Sequence, residues 1–303
     1  MPIYDQTFRH YDGPRNNSRS WWPIARETFR PALKMKFVWL LVLGLVIYVV
    51  IVSVGFFASA KLAEIAPHQA AQAGRTMRMQ KIALFDKSVD LGTALFGFVQ
   101  PLFGILWLMM LSFGAGSVSS DLRNNALPLY FSRPLTPWLY AIGKVLGLSL
   151  FPFLAMVACV ILVAIQYMAY FLTIGESFAE IPTLISCIVY LAMVCFFFAV
   201  VMAGISSTTR TSRVAGVAFL MFFVATQWLA NSLGPASLGR TISPRHSLNA
   251  IGRFLLNPNF NQISSSINID AITTLSAVVS IAIYCSLFAY LLRRNLRVVE
   301  IVK

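Results

Sequence analysis

The chain has 303 residues, a mean hydropathy of +0.73, 58% apolar residues and only 12% charged ones, where an average soluble chain carries roughly a quarter charged. Its net charge of +13 would suit nucleic acid in a soluble protein, yet six stretches free of Asp, Glu, Lys and Arg make up over half of the sequence. A soluble enzyme, a disulfide-stapled secreted domain and a free nucleic-acid binder are excluded, and a polytopic membrane protein remains.

The uncharged stretches are 37–60, 91–120, 145–175, 181–209, 214–239 and 271–292. Each is longer than the ~20 apolar residues that cross a bilayer's hydrocarbon at about 1.5 Å per residue. The expected fold class is therefore all-α. A tail and interfacial helix occupy 1–36, and a six-span domain occupies 37–303, with spans near 37–60, 91–118, 145–174, 181–205, 214–236 and 271–292. Six spans put both termini on one side, and that side holds two-thirds of the 24 Lys and Arg residues. The short turns agree: one contains only Glu176 and Glu180, the next only Arg210 and Arg213. Because basic residues accumulate on the cytoplasmic side, both termini are expected there.

In chain order, residues 1–20 are polar and rich in Arg and Asn. From Trp21 tryptophans mix with basic residues, and Ile24, Thr28, Pro31 and Met35 fall along one helical stripe. This suits a helix lying on the cytoplasmic leaflet; an ordinary basic flank of the first span reads equally well. Ala58-Ser59-Ala60 has the small residues of a cleavage site, but the 24-residue stretch before it is too long for a signal h-region of about 7–15 residues. Span 2 contains Gln100-Pro101, where a kink is expected. Gln166, Gln227 and Asn231 are further amides in apolar runs. Such groups should face other helices or a cavity, as interhelical glue or as substrate contacts. Cys159, Cys187, Cys195 and Cys285 lie inside apolar spans with no metal-ligand spacing and read as small hydrophobes. Before span 6, Leu248, Ile251, Phe254 and Leu255 predict a small amphipathic helix at the outer interface.

No catalytic constellation is visible. His10, His68 and His246 are scattered, and neither HExxH nor GxSxG is present. Gly143-Lys144 superficially ends a P-loop, but Trp138 and Val145 stand where Gly and Ser/Thr are required. No Asp, Glu, Lys or Arg lies within the spans, whereas an ion-coupled pump usually needs one despite a cost of roughly 2.5–3.5 kcal/mol. Energy for transport must then come from outside this chain.

The loop after span 2 is unusual. It reads Asp121-Leu122-Arg123, then Ala126-Leu127-Pro128-Leu129-Tyr130-Phe131-Ser132-Arg133-Pro134, and runs through Tyr140 and Gly143-Lys144 into span 3. An apolar patch of Leu127, Leu129, Tyr130 and Phe131, flanked by Asp121, Arg123 and Arg133, is a liability unless a partner covers it or it dips into the lipid interface. This run resembles the segment after the second span in ABC type-2 permeases, the membrane subunits of bacterial ABC exporters. One departure is Asn125-Ala126, where that family often has Gly-Thr. The six-span pattern, the basic lead-in and the Ser206–Arg213 turn fit the same resemblance.

The resemblance implies a permease subunit of an ATP-driven transporter in a bacterial inner membrane, an exporter, paired with a second permease (a copy or a different chain) and surrounded by lipid. A separate ABC ATPase would bind ATP and Mg, no cofactor being bound by this chain and no nucleic acid being a partner. Residues 121–134 would form the coupling helix, with Leu127, Leu129, Tyr130 and Phe131 as its apolar face and Asp121, Arg123 and Arg133 as its polar grip. Gln100, Gln227 and Asn231 are the candidates for lining the pathway. The alternatives are a non-transporting membrane anchor or assembly component and a membrane-embedded enzyme; an enzyme would need a titratable or metal-binding cluster at membrane depth. A secondary transporter is a third reading, weakened by the missing charges.

Overall fold

The computed structural model describes residues 21–65, 90–126, 136–233, 241–256 and 271–301, and every regular element among them is helical. In lipid no water satisfies a free backbone amide, so apolar runs of this length must close their hydrogen bonds within themselves. The elements are α1 (Trp21–Lys34), α2 (Lys36–Ile65), α3 (Leu91–Met109), α4 (Ser119–Arg123), α5 (Pro137–Phe171), α6 (Ile174–Ala179), α7 (Ile181–Thr208), α8 (Ser212–Ser232), α9 (Pro244–Leu256) and α10 (Ala271–Ile301). Six helical segments are long and apolar enough to cross a membrane: Lys36–Lys61, Leu91–Arg123, Pro137–Phe171, Ile174–Thr208, Ser212–Ser232 and Thr274–Leu296.

Helix α7 is the axis of the bundle. It is buried almost continuously from Phe197 to Ser207 and packs against α5, α10, α9, α8 and α3. Around it, helices that are apolar on all sides sort their faces by fit rather than polarity, since lipid tails are as apolar as Leu. Thus α2 buries Val38, Leu45, Val49, Val52 and Phe56 while exposing Trp39, Leu43, Val46, Val50 and Val54. Likewise α10 buries Ala277, Ile281, Phe288 and Leu292 and exposes Leu275, Val279, Ile283 and Leu287. Gln166 of α5 accepts a 2.7 Å hydrogen bond from Ser53 of α2, which makes it interhelical glue. Among the four cysteines, Cys159, Cys187 and Cys195 are buried and all four are free.

Pro101, where a kink is expected, lies inside α3, which runs through it to Met109. After Met109 the helix changes to one π-helical turn over Met110–Gly114. There Ser112 Oγ donates 2.7 Å to the Met109 carbonyl, a side-chain bond that competes with the helical ladder. The chain then turns into α4 at the end of the bundle that also holds α1, the start of α5 and the end of α7. At the opposite end lie α6 and α9.

Helix α1 is held by glycines. Ile24, Ala25, Thr28 and Ala32 form its buried stripe, so Pro31 and Met35, expected on that stripe, are exposed instead. The stripe lies on α5 at Gly143 and Gly147. A Cβ on Gly143 would sit 2.9 Å from the Trp21 carbonyl oxygen, and one on Gly147 would sit 2.6 Å from that of Ala25. The Gly-x-x-x-Gly spacing therefore serves a close approach of two helices within the chain.

Candidate functional site

Two places concentrate polar chemistry, one at each end of the bundle. At the α1 end, Lys144 on the first turns of α5 is buried. Its ammonium lies 2.8 Å from the Asp121 carboxylate and donates 2.8 Å to the Ser117 carbonyl. Tyr140, one turn earlier on the same face, donates 2.6 Å to the same carboxylate oxygen, while the ammonium sits 5.6 Å from the centre of its ring. Thr136 caps α5 by accepting from the Leu139 amide at 3.3 Å, and Pro137 fills the first helical position. The start of α5 is thus preset and presents Tyr140 and Lys144 at i, i+4 toward α4.

From the other side, Ser206 of α7 accepts from the amides of Val118 and Ser119 at 3.2 and 2.9 Å and donates 2.9 Å to the Ala115 carbonyl. One hydroxyl thereby satisfies the turn between the π segment and α4. Asn295 of α10 reaches the Ser207 carbonyl at 3.1 Å. Helices α5, α7 and α10 and the segment leading into the loop are all tied together at this end.

Helix α4 stops in a Schellman arrangement. Ala126 N–H bonds the Asp121 carbonyl at 2.9 Å, and Asn125 N–H bonds that of Leu122 at 3.4 Å. Asn125 has φ 49°, the left-handed region that favours Gly and tolerates Asn. The departure Asn125-Ala126 therefore keeps the backbone conformation that Gly would adopt. Asn125→Val is expected to destabilise this stop by about 1–2 kcal/mol and Asn125→Gly to be neutral or better, read as faster or unchanged amide exchange at Ala126.

Of the expected coupling residues, Leu127, Leu129, Tyr130, Phe131 and Arg133 lie outside the described residues. Arg123 is exposed. Asp121 differs from the expectation of a polar grip on a partner: its side chain is 15% exposed and turned inward onto Lys144. The reason is electrostatic, since a buried ammonium needs a carboxylate within reach. In the sequence, Lys144 stands out only as part of Gly143-Lys144 at the entry to span 3 and not as a partner of Asp121. The missed signal was its i, i+4 spacing from Tyr140 beside one acidic residue.

At the α9 end, Gln100, Gln227 and Asn231 line one cavity of about 610 Å³. Gln100 donates 3.1 Å to Asn249 of α9. Gln227 accepts from Ser243 at 2.8 Å, donates to Asn231 at 3.2 Å and lies 3.1 Å from His246 Nε2. The three amides, one on α3 and two on α8, are legible as polar residues in apolar runs; Ser243, Arg245 and Asn249 carry no such signal, and His246 reads as one of three scattered histidines. Helix α9 is not a surface ornament: Leu248 and Ile251 are buried and Phe254 is 65% exposed. The chain just before α9 is pinned by Tyr284 and Ser280 of α10, each donating 2.6 Å to the carbonyls of Ile242 and Thr241. Among the described residues no three His, Cys, Asp or Glu side chains group to hold a metal ion.

Six helical segments suited to crossing a membrane, one of them the buried axis α7, with a polar-mouthed cavity at one end and the clamped start of a loop at the other, define a multi-pass membrane protein. The sequence profile described as "ABC-2 family transporter protein" matches residues 22–297. The chain belongs to this family, as a permease component of an ABC transporter, and such permeases work with an ABC ATPase partner. No curated protein matches it.

Proposed function

We propose that the chain is the permease subunit of an exporter, that it forms the translocation pathway with a second permease, and that a separate ATPase drives it through residues 121–134. The observation that carries this reading is the clamp at the start of that loop. The Asp121–Lys144 pair and the Ser206 hydroxyl join α4 to α5 and α7, so a push on the loop is delivered to three spans as one body. ATP-driven closure of a partner would thereby shift the permease between inward- and outward-facing states. ATP and Mg belong to the ATPase, and this chain performs no chemistry of its own. The distribution of Lys and Arg supports cytoplasmic termini, and the family resemblance supports a bacterial inner membrane. The polar end of α9 then faces outward. Helix α8 supports a paired permease, because it is buried only at Ala215, Phe219 and Ala230 and leaves Val214, Val217 and Met221, away from the cavity, exposed.

Arg133→Glu tests the coupling assignment. The variant should insert and purify normally while retaining about tenfold less ATPase subunit, because a like or missing charge at a docking contact weakens the complex without touching the fold. Normal complex yield and normal transport would reject the assignment of this loop. A membrane anchor, the competing reading, predicts a complex whose ATP hydrolysis is indifferent to any cargo.

A further inference from the structure

The cavity between α3, α7, α8 and α9 is chemically divided along the bundle axis. Helices α3 and α8 run antiparallel, and Gln100, midway along α3, lines the cavity together with Gln227 and Asn231, near the end of α8. Ser243 and Arg245 from the start of α9 join them there. Toward the middle of the bundle the walls change character. Trp107, seven residues or about 10 Å further along α3, Phe198 of α7 and Phe223 of α8 line the cavity there. Phe198 and Phe223 stack at 5.0 Å between ring centres. Arg245 is the one formal charge among the described lining residues, and no carboxylate is among them. Its side of the cavity also holds three amides and a hydroxyl, with Pro101, Trp228 and Leu248 between them.

We infer that this cavity takes an amphipathic anion: a molecule with one acidic headgroup held by Arg245 and the Gln/Asn/Ser cluster, and an apolar body lying against Trp107, Phe198 and Phe223. A volume of about 610 Å³ fits a single drug-sized body. A polysaccharide would find too few hydrogen-bonding walls at the apolar end, and a bare metal cation would find a resident positive charge and no carboxylate. The cavity reaches the side of the molecule, where Trp228 is 70% and Val224 50% exposed. An amphiphile therefore has a route in from the bilayer that a strongly hydrated solute lacks. This names the cargo class for the pathway and rests on reading the chain as a transport subunit.

The test uses the full chain in phosphatidylcholine nanodiscs and a dodecanoate carrying a diazirine in its chain, with labelled sites mapped by mass spectrometry. Labelling should concentrate within 100–107 and 223–231. Unlabelled dodecanoate should compete for it, whereas dodecyltrimethylammonium and inorganic phosphate should not. Arg245→Glu should lower labelling about tenfold, the scale of losing a charge-assisted hydrogen bond and gaining a repulsion. Gly104 lines the cavity and a Cβ there meets nothing within 4 Å, so Gly104→Trp should fill the space and abolish labelling while leaving oligomeric state and thermal stability unchanged. Three outcomes overturn the proposal: labelling spread along the exposed faces of α2 and α10, equal competition by the cationic detergent, or loss of labelling in Gly104→Trp together with a change in oligomeric state. The last would assign the groove to a second copy of the chain. Co-purification of an ATPase subunit is independent of all three, so failure here is distinguishable from failure of the transport reading.

Discussion

Lys144→Met is expected to cost about 3–5 kcal/mol, the penalty for leaving one member of a buried ion pair without its partner. The side chains of Lys144 and Asp121 are 7% and 15% exposed, so water cannot replace the lost ammonium around the carboxylate. Tyr140 would still donate to Asp121, which offsets part of the loss, but the Ser117 carbonyl would lose its donor as well. The double variant Asp121→Asn with Lys144→Met should recover most of the stability, because no uncompensated charge is left. Equilibrium unfolding in mixed micelles measures both. If the clamp carries force from the loop, the double variant should be stable yet show ATP hydrolysis poorly coupled to transport. A single variant as stable as the parent would show that the pair is solvated rather than structural.

Gly147→Leu should release α1. A Cβ at this position would lie 2.6 Å from the Ala25 carbonyl oxygen and 2.8 Å from the Thr28 Cβ, and neither a helix backbone nor a branched carbon can yield by the required amount. Overpacking of this kind costs about 1–3 kcal/mol where a core can shift, and here the cheaper escape is for α1 to leave its seat. Limited trypsin digestion at Arg26 and Lys34 reads the release directly, as these sites are protected only while the helix is docked and intact. Gly44→Leu is the matched control. It lies on α2 with nothing within 4 Å of an added Cβ, so digestion should be unchanged there.

The fold was legible wherever absence of charge sufficed. Runs of 22 to 31 residues without Asp, Glu, Lys or Arg admit little besides a spanning helix, and the structure has six segments suited to it. What periodicity could not supply was orientation, since a helix apolar on all sides carries no polar face to point outward. The buried stripe of α2 therefore emerges only from packing, and the docking of α1 depends on two glycines whose spacing occurs widely for other reasons. Helix α3 runs through Pro101, which is exposed, while Met110–Gly114, with no proline among them, take the π-helical turn.

The candidate sites divide in the same way. Gln100, Gln227 and Asn231 stood out because an amide in hydrocarbon demands a partner, and the structure gathers all three around one cavity. Their partners Ser243, His246 and Asn249 did not stand out, being ordinary residues for the segment in which they occur. Asp121 was visible as a charge at the loop, but its direction was not, because that depends on a lysine 23 positions later folding back beside it.

The central claim is that an external ATPase drives this permease through the loop after its second span. The most direct measurement is affinity purification of the tagged chain from native membranes in mild detergent, after cross-linking from Tyr130→Cys, with mass spectrometry of whatever is retained. The account predicts a stoichiometric soluble subunit carrying a Walker A motif, cross-linked at position 130. Recovery of the chain alone, with no cross-linked partner, would contradict it.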